Sequence, residues 1–120
     1  MKFLSRRLVM PTDLNSRGTL FGGRLLAWID EEASVFAAVE SGAELVVTKY
    51  ISEMDFQAPS VLGDVLEIGM EITSTTRVSI TLKCQVRDLR TQREIVRIAK
   101  MVFISVDAKG RPTRHPLGVT

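Results

Sequence analysis

Apolar and polar residues alternate most regularly in the second half of the chain. Leu66, Ile68, Met70 and Ile72 interleave with Glu67, Gly69, Glu71 and Thr73, and Val78, Ile80, Leu82, Cys84 and Val86 interleave with Ser79, Thr81, Lys83, Gln85 and Arg87. A period of two turns one face to a core and the other to water, so both stretches are predicted to be half-buried strands. Ile95 to Val106 is apolar on both faces at several positions, which predicts a strand central to a sheet or at an interface. Leu45 to Phe56 is predicted as one strand, closed by Ala58-Pro59 and a turn through Gly63-Asp64. Leu4 to Val9 makes a short first strand ended by Met10-Pro11.

A single segment has the other periodicity. From about Gly22 to Glu40, the residues Leu25, Leu26, Trp28, Ile29, Val35, Phe36 and Val39 have helical length and propensity, and Ser41-Gly42 supplies the stop. Apolar residues take nearly the whole circumference, so this helix is predicted to be the buried centre of the fold. Before it, Thr12 to Leu20 holds the turn formers Asp13, Asn15, Ser16 and Gly18; at the other end Asp107 to Gly110 is a turn, and the residues after Arg111 read as a loose tail. One strand, one long helix and four more strands predict a single α+β domain over residues 1–120, an antiparallel sheet wrapped around its helix, the hotdog arrangement. A single curved sheet cannot close around a helix, so a dimer is expected.

Composition narrows the function classes. With 45% hydrophobic and 25% charged residues the chain has the balance of a soluble globular protein, and no apolar run approaches a membrane span. The N-terminus, Met1-Lys2-Phe3-Leu4-Ser5-Arg6-Arg7, has charges but no apolar core and no cleavage site of small residues, so a cytoplasmic location is expected. A net charge of +2 does not imply nucleic acid. The basic residues Arg77, Lys83, Arg87, Arg90, Arg93, Arg97 and Lys100 are spread among apolar ones, and one Tyr and one Trp give no stacking platform. The lone Cys84 falls on the apolar side of a strand and reads as a small buried hydrophobe, and the lone His115 lies near the C-terminus between Arg114 and Pro116. One His and one Cys that far apart make no metal-ligand set.

Candidate chemistry concentrates between Pro11 and Ala33. Gly22 and Gly23 open the helix, where the first backbone N–H groups lack intrahelical partners and can face a ligand. The pair lacks the Lys-Ser or Lys-Thr of a phosphate loop and the three glycines of a dinucleotide loop. Inside the helix, Asp30 shares a stripe with Leu26, Ala33 and Ala37, and a carboxylate desolvated beside apolar surface gains the basicity a general base needs. A solvated or paired helix aspartate has the same spacing, and Glu31 and Glu32 beside it read as the solvated side.

Four blocks of sequence carry a resemblance. They are Asn15-x-x-Gly18-x-x-Phe21-Gly22-Gly23; Trp28-Ile29-Asp30; Asp55-Phe56-x-x-Pro59-x-x-x-Gly63-Asp64; and Phe103 through Val106-Asp107-x-x-Gly110-Arg111-Pro112. In this order, over nearly the whole chain, they resemble the acyl-CoA thioesterases of the hotdog superfamily, in their single-hotdog bacterial form. The resemblance implies hydrolysis of a fatty acyl-CoA thioester to the free acid and coenzyme A, without metal or organic cofactor. It implies Asp30 as the base that activates water, or as a nucleophile, and Asn15 as the group that orients the water or the carbonyl. Gly22 and Gly23 would polarise the thioester carbonyl through their N–H groups. Arg77, with Ser79, falls where the family places coenzyme A contacts; a solvated turn arginine fits the same position. A homodimer as the minimal unit, assembling further to a trimer of dimers, is the implied quaternary state.

Gly22 and Asp30 are separated by about 12 Å of helix rise, too far for one carbonyl to touch both. If both act on one thioester, they come from different subunits. A non-catalytic acyl-CoA-binding regulatory module has the same fold, and the joint presence of Asp30 and Asn15 counts against it. A hotdog hydratase is built around a catalytic His, for which His115 is the only candidate. Chain-length preference turns on how Leu25, Ile29, Met54 and Phe56 pack, which sequence does not fix.

Overall fold

The computed structural model describes residues 1–120. Its elements are β1 (Lys2–Leu8), a 3-10 turn (Pro11–Asp13), α1 (Gly22–Ser41), β2 (Leu45–Ile51), β3 (Met54–Phe56), β4 (Val65–Thr75), β5 (Ser79–Asp88) and β6 (Glu94–Val106). The strands form one antiparallel sheet in the order β1-β4-β5-β6-β2, with β3 also paired to β6. The period-two stretches become β4 and β5, neighbours in the sheet, and the strand apolar on both faces becomes β6, held between β5 and β2. No helix is long and apolar enough to cross a membrane.

The core lies between one face of the sheet and one side of α1. Leu25, Ile29, Ala33 and Ala37 of the helix meet Leu66 and Ile68 of β4, Ile80, Leu82, Cys84 and Val86 of β5, and Ile98, Met101 and Phe103 of β6. The helix ends where the sequence stops it: Gly42 takes the left-handed conformation (φ 78°), and its N–H donates to the Ala38 carbonyl. Pro116 lies 3.1 Å from where a Cβ on Gly42 would sit, so the C-terminal tail closes over this end of the helix.

Three expectations need correction. The stretch from Leu45 to Phe56 is two strands, because Ser52 leaves the ladder: its N–H donates to the Lys100 carbonyl and its Oγ accepts from the Lys100 N–H. The helix is not buried all round. A six-stranded sheet covers one side only, and Val35 and Val39 remain 60% and 72% exposed on the other. Nor is the tail loose. Thr113, His115, Leu117 and Thr120 each donate a backbone hydrogen bond to the body of the fold, at Ser105, Arg77, Ser41 and Thr75 respectively, and His115 is buried to 1% exposure.

The two edges of the sheet differ. β1 is one edge, and the outer strand at the other is β2, where Leu45, Val47 and Tyr50 are about half exposed. An open edge that carries apolar side chains is a template for another strand.

Candidate functional site

The loop before α1 is built around two side chains. Asp13, buried, accepts the Met10 N–H at Oδ2 (2.8 Å), pairs with Arg24 Nε across 3.3 Å, and offers its carbonyl to the Phe21 N–H. It thereby fixes how the chain runs into the helix. Asn15 closes the next turn: its Oδ1 accepts the N–H groups of Arg17 (2.9 Å) and Thr19 (3.1 Å), and its Nδ2 donates to Thr19 Oγ1 (2.9 Å). With the carboxamide oxygen committed to backbone, the orientation of the group is set, and the second N–H of Nδ2 is what it has to offer a ligand.

At the start of α1, the residue before the helix, Phe21, provides no side-chain cap. The Gly22 and Gly23 N–H groups sit in the first turn, where an α-helix gives them no internal partner and the macrodipole favours negative charge. At Gly23 the missing Cβ makes room for a neighbouring ring, whereas at Gly22 a Cβ would meet one only in ordinary contact. A Cβ on Gly23 would come within 2.7 Å of the Phe21 ring, and one on Gly22 within 3.5 Å of the Phe56 ring. Two half-exposed phenyl rings therefore flank the helix start. A cleft of about 370 Å³ opens here between Thr12, Leu14, Phe21, Gly23, Arg24 and Ala27.

Asp30 lies two turns further along the helix, over β2. Its Oδ1 accepts a 2.7 Å hydrogen bond from Thr48 Oγ1, and its backbone carbonyl accepts from Ser34 Oγ. The desolvated seat expected from the helical stripe is not complete in one chain. Ala33 and Ala37 are buried, whereas Leu26 and Asp30 are only partly covered, since they lie toward the open β2 edge. Thr48 is the residue that sequence reasoning missed. A threonine in a strand carries no signal of its own; it becomes a partner only because β2 runs beneath the middle of the helix.

Arg77 lies on the turn between β4 and β5, and Ser79 closes that turn as the first residue of β5. Arg77 is exposed, and Ser79 Oγ is hydrogen-bonded to Thr76 Oγ1 (2.6 Å). Ile80 pairs with Phe103, and Phe103 pairs with Thr48. The turn thus shares the Asp30–Thr48 end of the sheet, two strand spacings, about 10 Å, to the side. His115 packs beneath the same turn, with Nε2 2.7 Å from the Thr76 carbonyl oxygen and 3.1 Å from that of Ser79.

One chain accordingly carries two separated groups. Gly22 and Gly23 open α1, with Gly22 against Phe56, and Asn15 lies in the loop that leads into that helix start. Asp30 and Thr48 meet further along the helix, on the side of the Arg77–Ser79 turn. The largest cleft, about 450 Å³ between β1 and α1, is lined by none of these residues. No cluster of His, Cys, Asp and Glu is arranged to hold a metal ion.

Comparison with known proteins gives concordant matches. A family model described as the thioesterase superfamily matches residues 17–95. The chain is 31% identical over 118 residues to the acyl-CoA thioester hydrolase YciA of Escherichia coli, covering 93% of this chain and 89% of that protein. Among solved structures, the hexameric thioesterase y2039 from Yersinia pestis superposes with a TM-score of 0.90 at 28% identity, over 98% of this chain and 97% of that one. An acyl-CoA hydrolase from Staphylococcus aureus, solved with butyryl coenzyme A, coenzyme A and coenzyme A disulfide, superposes with a TM-score of 0.82 at 31% identity, over 93% of this chain and 67% of that one.

Proposed function

Since the chain belongs to the thioesterase superfamily and has the hotdog fold, we propose that it hydrolyses fatty acyl-CoA to the free acid and coenzyme A at a site shared by two copies. The observation that carries this reading is the separation of the two groups: a carboxylate held by Thr48 in the middle of α1, and a set of N–H donors at its start. Each is half of a hydrolytic site. A hydrolase needs a base beside the attacking water and donors about 3 Å from the developing oxyanion.

Asp30 is the base. Thr48 engages Oδ1, which leaves Oδ2 to take a proton from water as its oxygen attacks the thioester carbon. The Gly22 and Gly23 N–H groups of the other subunit polarise the carbonyl, and the free N–H of Asn15 Nδ2 orients it. Collapse of the tetrahedral species breaks the C–S bond and releases the thiolate of coenzyme A. Arg77, with Ser79, binds the phosphates, a guanidinium being suited to paired contacts with phosphate oxygens. The exposed apolar side chains of β2 make that edge the natural seam of a homodimer, and three such dimers make the full assembly. On this reading residues 1–120 act as one catalytic domain working in the cytoplasm.

Release of free thiol from a panel of acyl-CoA esters tests the reading. We expect turnover, and a kcat at least about a hundredfold lower for Asp30→Asn with an unchanged melting temperature. Tight binding of acyl-CoA with no thiol released would instead identify a regulatory binding module. Near-normal turnover by Asp30→Asn would remove Asp30 from the mechanism.

A further inference from the structure

The C-terminal tail carries the only histidine of the chain, and it is among the most deeply buried side chains. His115 touches three of the four residues of the Thr76–Ser79 turn. Nε2 lies 2.7 Å from the Thr76 carbonyl oxygen and 3.1 Å from the Ser79 carbonyl oxygen, and the His115 backbone N–H donates to the Arg77 carbonyl oxygen. Both Nε2 partners are acceptors, so Nε2 must carry the hydrogen. Nδ1 is buried without a partner.

The turn has its own bonds. Thr76 N–H donates to the Ser79 carbonyl, Ser79 N–H to Thr76 Oγ1, and the two hydroxyls share a 2.6 Å contact. These bonds close the turn on itself but do not fix its direction relative to the sheet. That anchorage comes from two sides: the Val78 carbonyl accepts the Ser105 N–H of β6, and the imidazole holds the turn from below, itself fixed by backbone bonds on both sides of it, from Thr113 to Ser105 and from Leu117 to Ser41. Arg77, the exposed residue at the top, has its carbonyl tied to His115 while its side chain stays free.

We propose that His115 is a positioning residue for coenzyme A: it clamps the Thr76–Ser79 turn from beneath so that the Arg77 guanidinium is presented to a phosphate of the substrate. This rests on the assignment of Arg77 to the phosphates. A clamp of this kind acts on binding of the nucleotide part and not on the acyl transfer, so its loss raises KM and leaves kcat. It also depends on a donor at the Nε2 position specifically. The side-chain amide of Gln reaches that position, whereas that of Asn reaches only as far as Nδ1.

The experiment compares His115→Gln, His115→Asn and Arg77→Ala on an acyl-CoA and on the matching acyl-pantetheine thioester, which lacks the nucleotide and its phosphates. His115→Asn and Arg77→Ala should each raise KM for acyl-CoA by about fivefold, the size of one charged or geometry-dependent contact, with kcat within about twofold. Both should leave KM for acyl-pantetheine unchanged, and the double variant should be no worse than Arg77→Ala alone. His115→Gln should keep KM close to wild type. If Arg77→Ala shows the KM effect and His115→Asn does not, the clamp is refuted while the phosphate assignment stands. No KM effect for Arg77→Ala overturns both. An equal rise on acyl-CoA and acyl-pantetheine assigns His115 a general structural role and overturns the proposal. If His115→Asn is too unstable to purify, His115→Leu replaces it as a side chain of similar bulk without a donor: a KM raised for acyl-CoA alone supports the clamp, and an unchanged KM contradicts it.

Discussion

If the two groups on α1 serve one thioester, chains defective in different groups should repair each other. Eight residues of helix separate Gly22 from Asp30, a rise of about 12 Å, while an oxyanion and its donors must approach to about 3 Å. No side-chain rotation closes that gap, since the Gly22 and Gly23 donors are backbone N–H groups of the first helical turn and Asp30 is held to Thr48. Suppose Asn15→Ala and Asp30→Ala chains, each retaining about a hundredth of wild-type activity, are co-expressed. In a mixed dimer, one site joins the two defects and the other joins the two intact halves. Random pairing makes about half of the dimers mixed, each with one working site of two, so the sample should recover roughly a quarter of wild-type activity. The assay is thiol release from acyl-CoA, with the fraction of mixed dimers counted by native mass spectrometry. If mixed dimers are present and activity stays at the level of the single variants, the site lies within one chain. The carbonyl donors would then have to be found beside Asp30 on its own subunit.

Thr48→Val removes the hydroxyl that holds Asp30 Oδ1 and should lower kcat by about tenfold with little change in KM, as steady-state kinetics will show; an unchanged kcat removes Thr48 from the site. Asp88 accepts the backbone N–H groups of Thr91 and Arg90 at the β5–β6 turn, and these hold its carboxyl below the usual range. A lowered folded value stabilises the fold above the unfolded value, near pH 4, and that stabilisation is lost as pH falls through the folded value. Thermal melts of Asp88→Ala should therefore lie below wild type at pH 7, with the difference shrinking below about pH 4. Burial pushes the Cys84 thiol up to about 12, and the side chain is 1% exposed, so a thiol reagent at pH 8 should label it only on unfolding. Labelling of the native protein would mean that the β5 face of the core opens.

The elements readable in advance are those whose signal is local. β5 has one dry face and one that meets water, which forces alternation into the sequence; β4 carries the same alternation, although Leu66 to Met70 are buried on both faces, where Phe3 covers Gly69 and Arg87 pairs with Glu67. The helix α1 is bracketed by Gly22 at its start and Gly42 in the left-handed conformation at its end. The break between β2 and β3 has no such mark. Ser52 and Glu53 are ordinary residues for a strand edge, and the chain leaves the ladder there because Ser52 bonds both backbone groups of Lys100, nearly fifty positions away. The same holds for the site. Asp30, Asn15 and the glycine pair stand out because their residue types are unusual for their places, a carboxylate on an apolar helix and donors at an uncapped helix start. Thr48 is a common type in a common place and His115 stands in a segment without periodicity, so their roles exist only through tertiary contacts with Asp30 and with the Thr76–Ser79 turn.

The incomplete cover over Asp30 follows from the sheet as well. A stripe of Leu26, Asp30, Ala33 and Ala37 would be dry throughout if the sheet extended beyond β2, but β2 is the outer strand and the front of the stripe meets water. The same edge presents Leu45, Val47 and Tyr50, apolar groups that gain by burial when a second β2 edge joins it. On the proposed function, then, a single event serves two needs of the reaction: pairing across β2 excludes bulk water from the carboxylate and brings the partner's helix start to it. Hydrolysis becomes a property of the assembled protein. A charged pair introduced at that seam, with Val47→Glu on every chain, should separate the copies and abolish thiol release while each chain keeps its helix and sheet by circular dichroism. Full activity from a protein shown by sedimentation to be monomeric would break the link between assembly and catalysis.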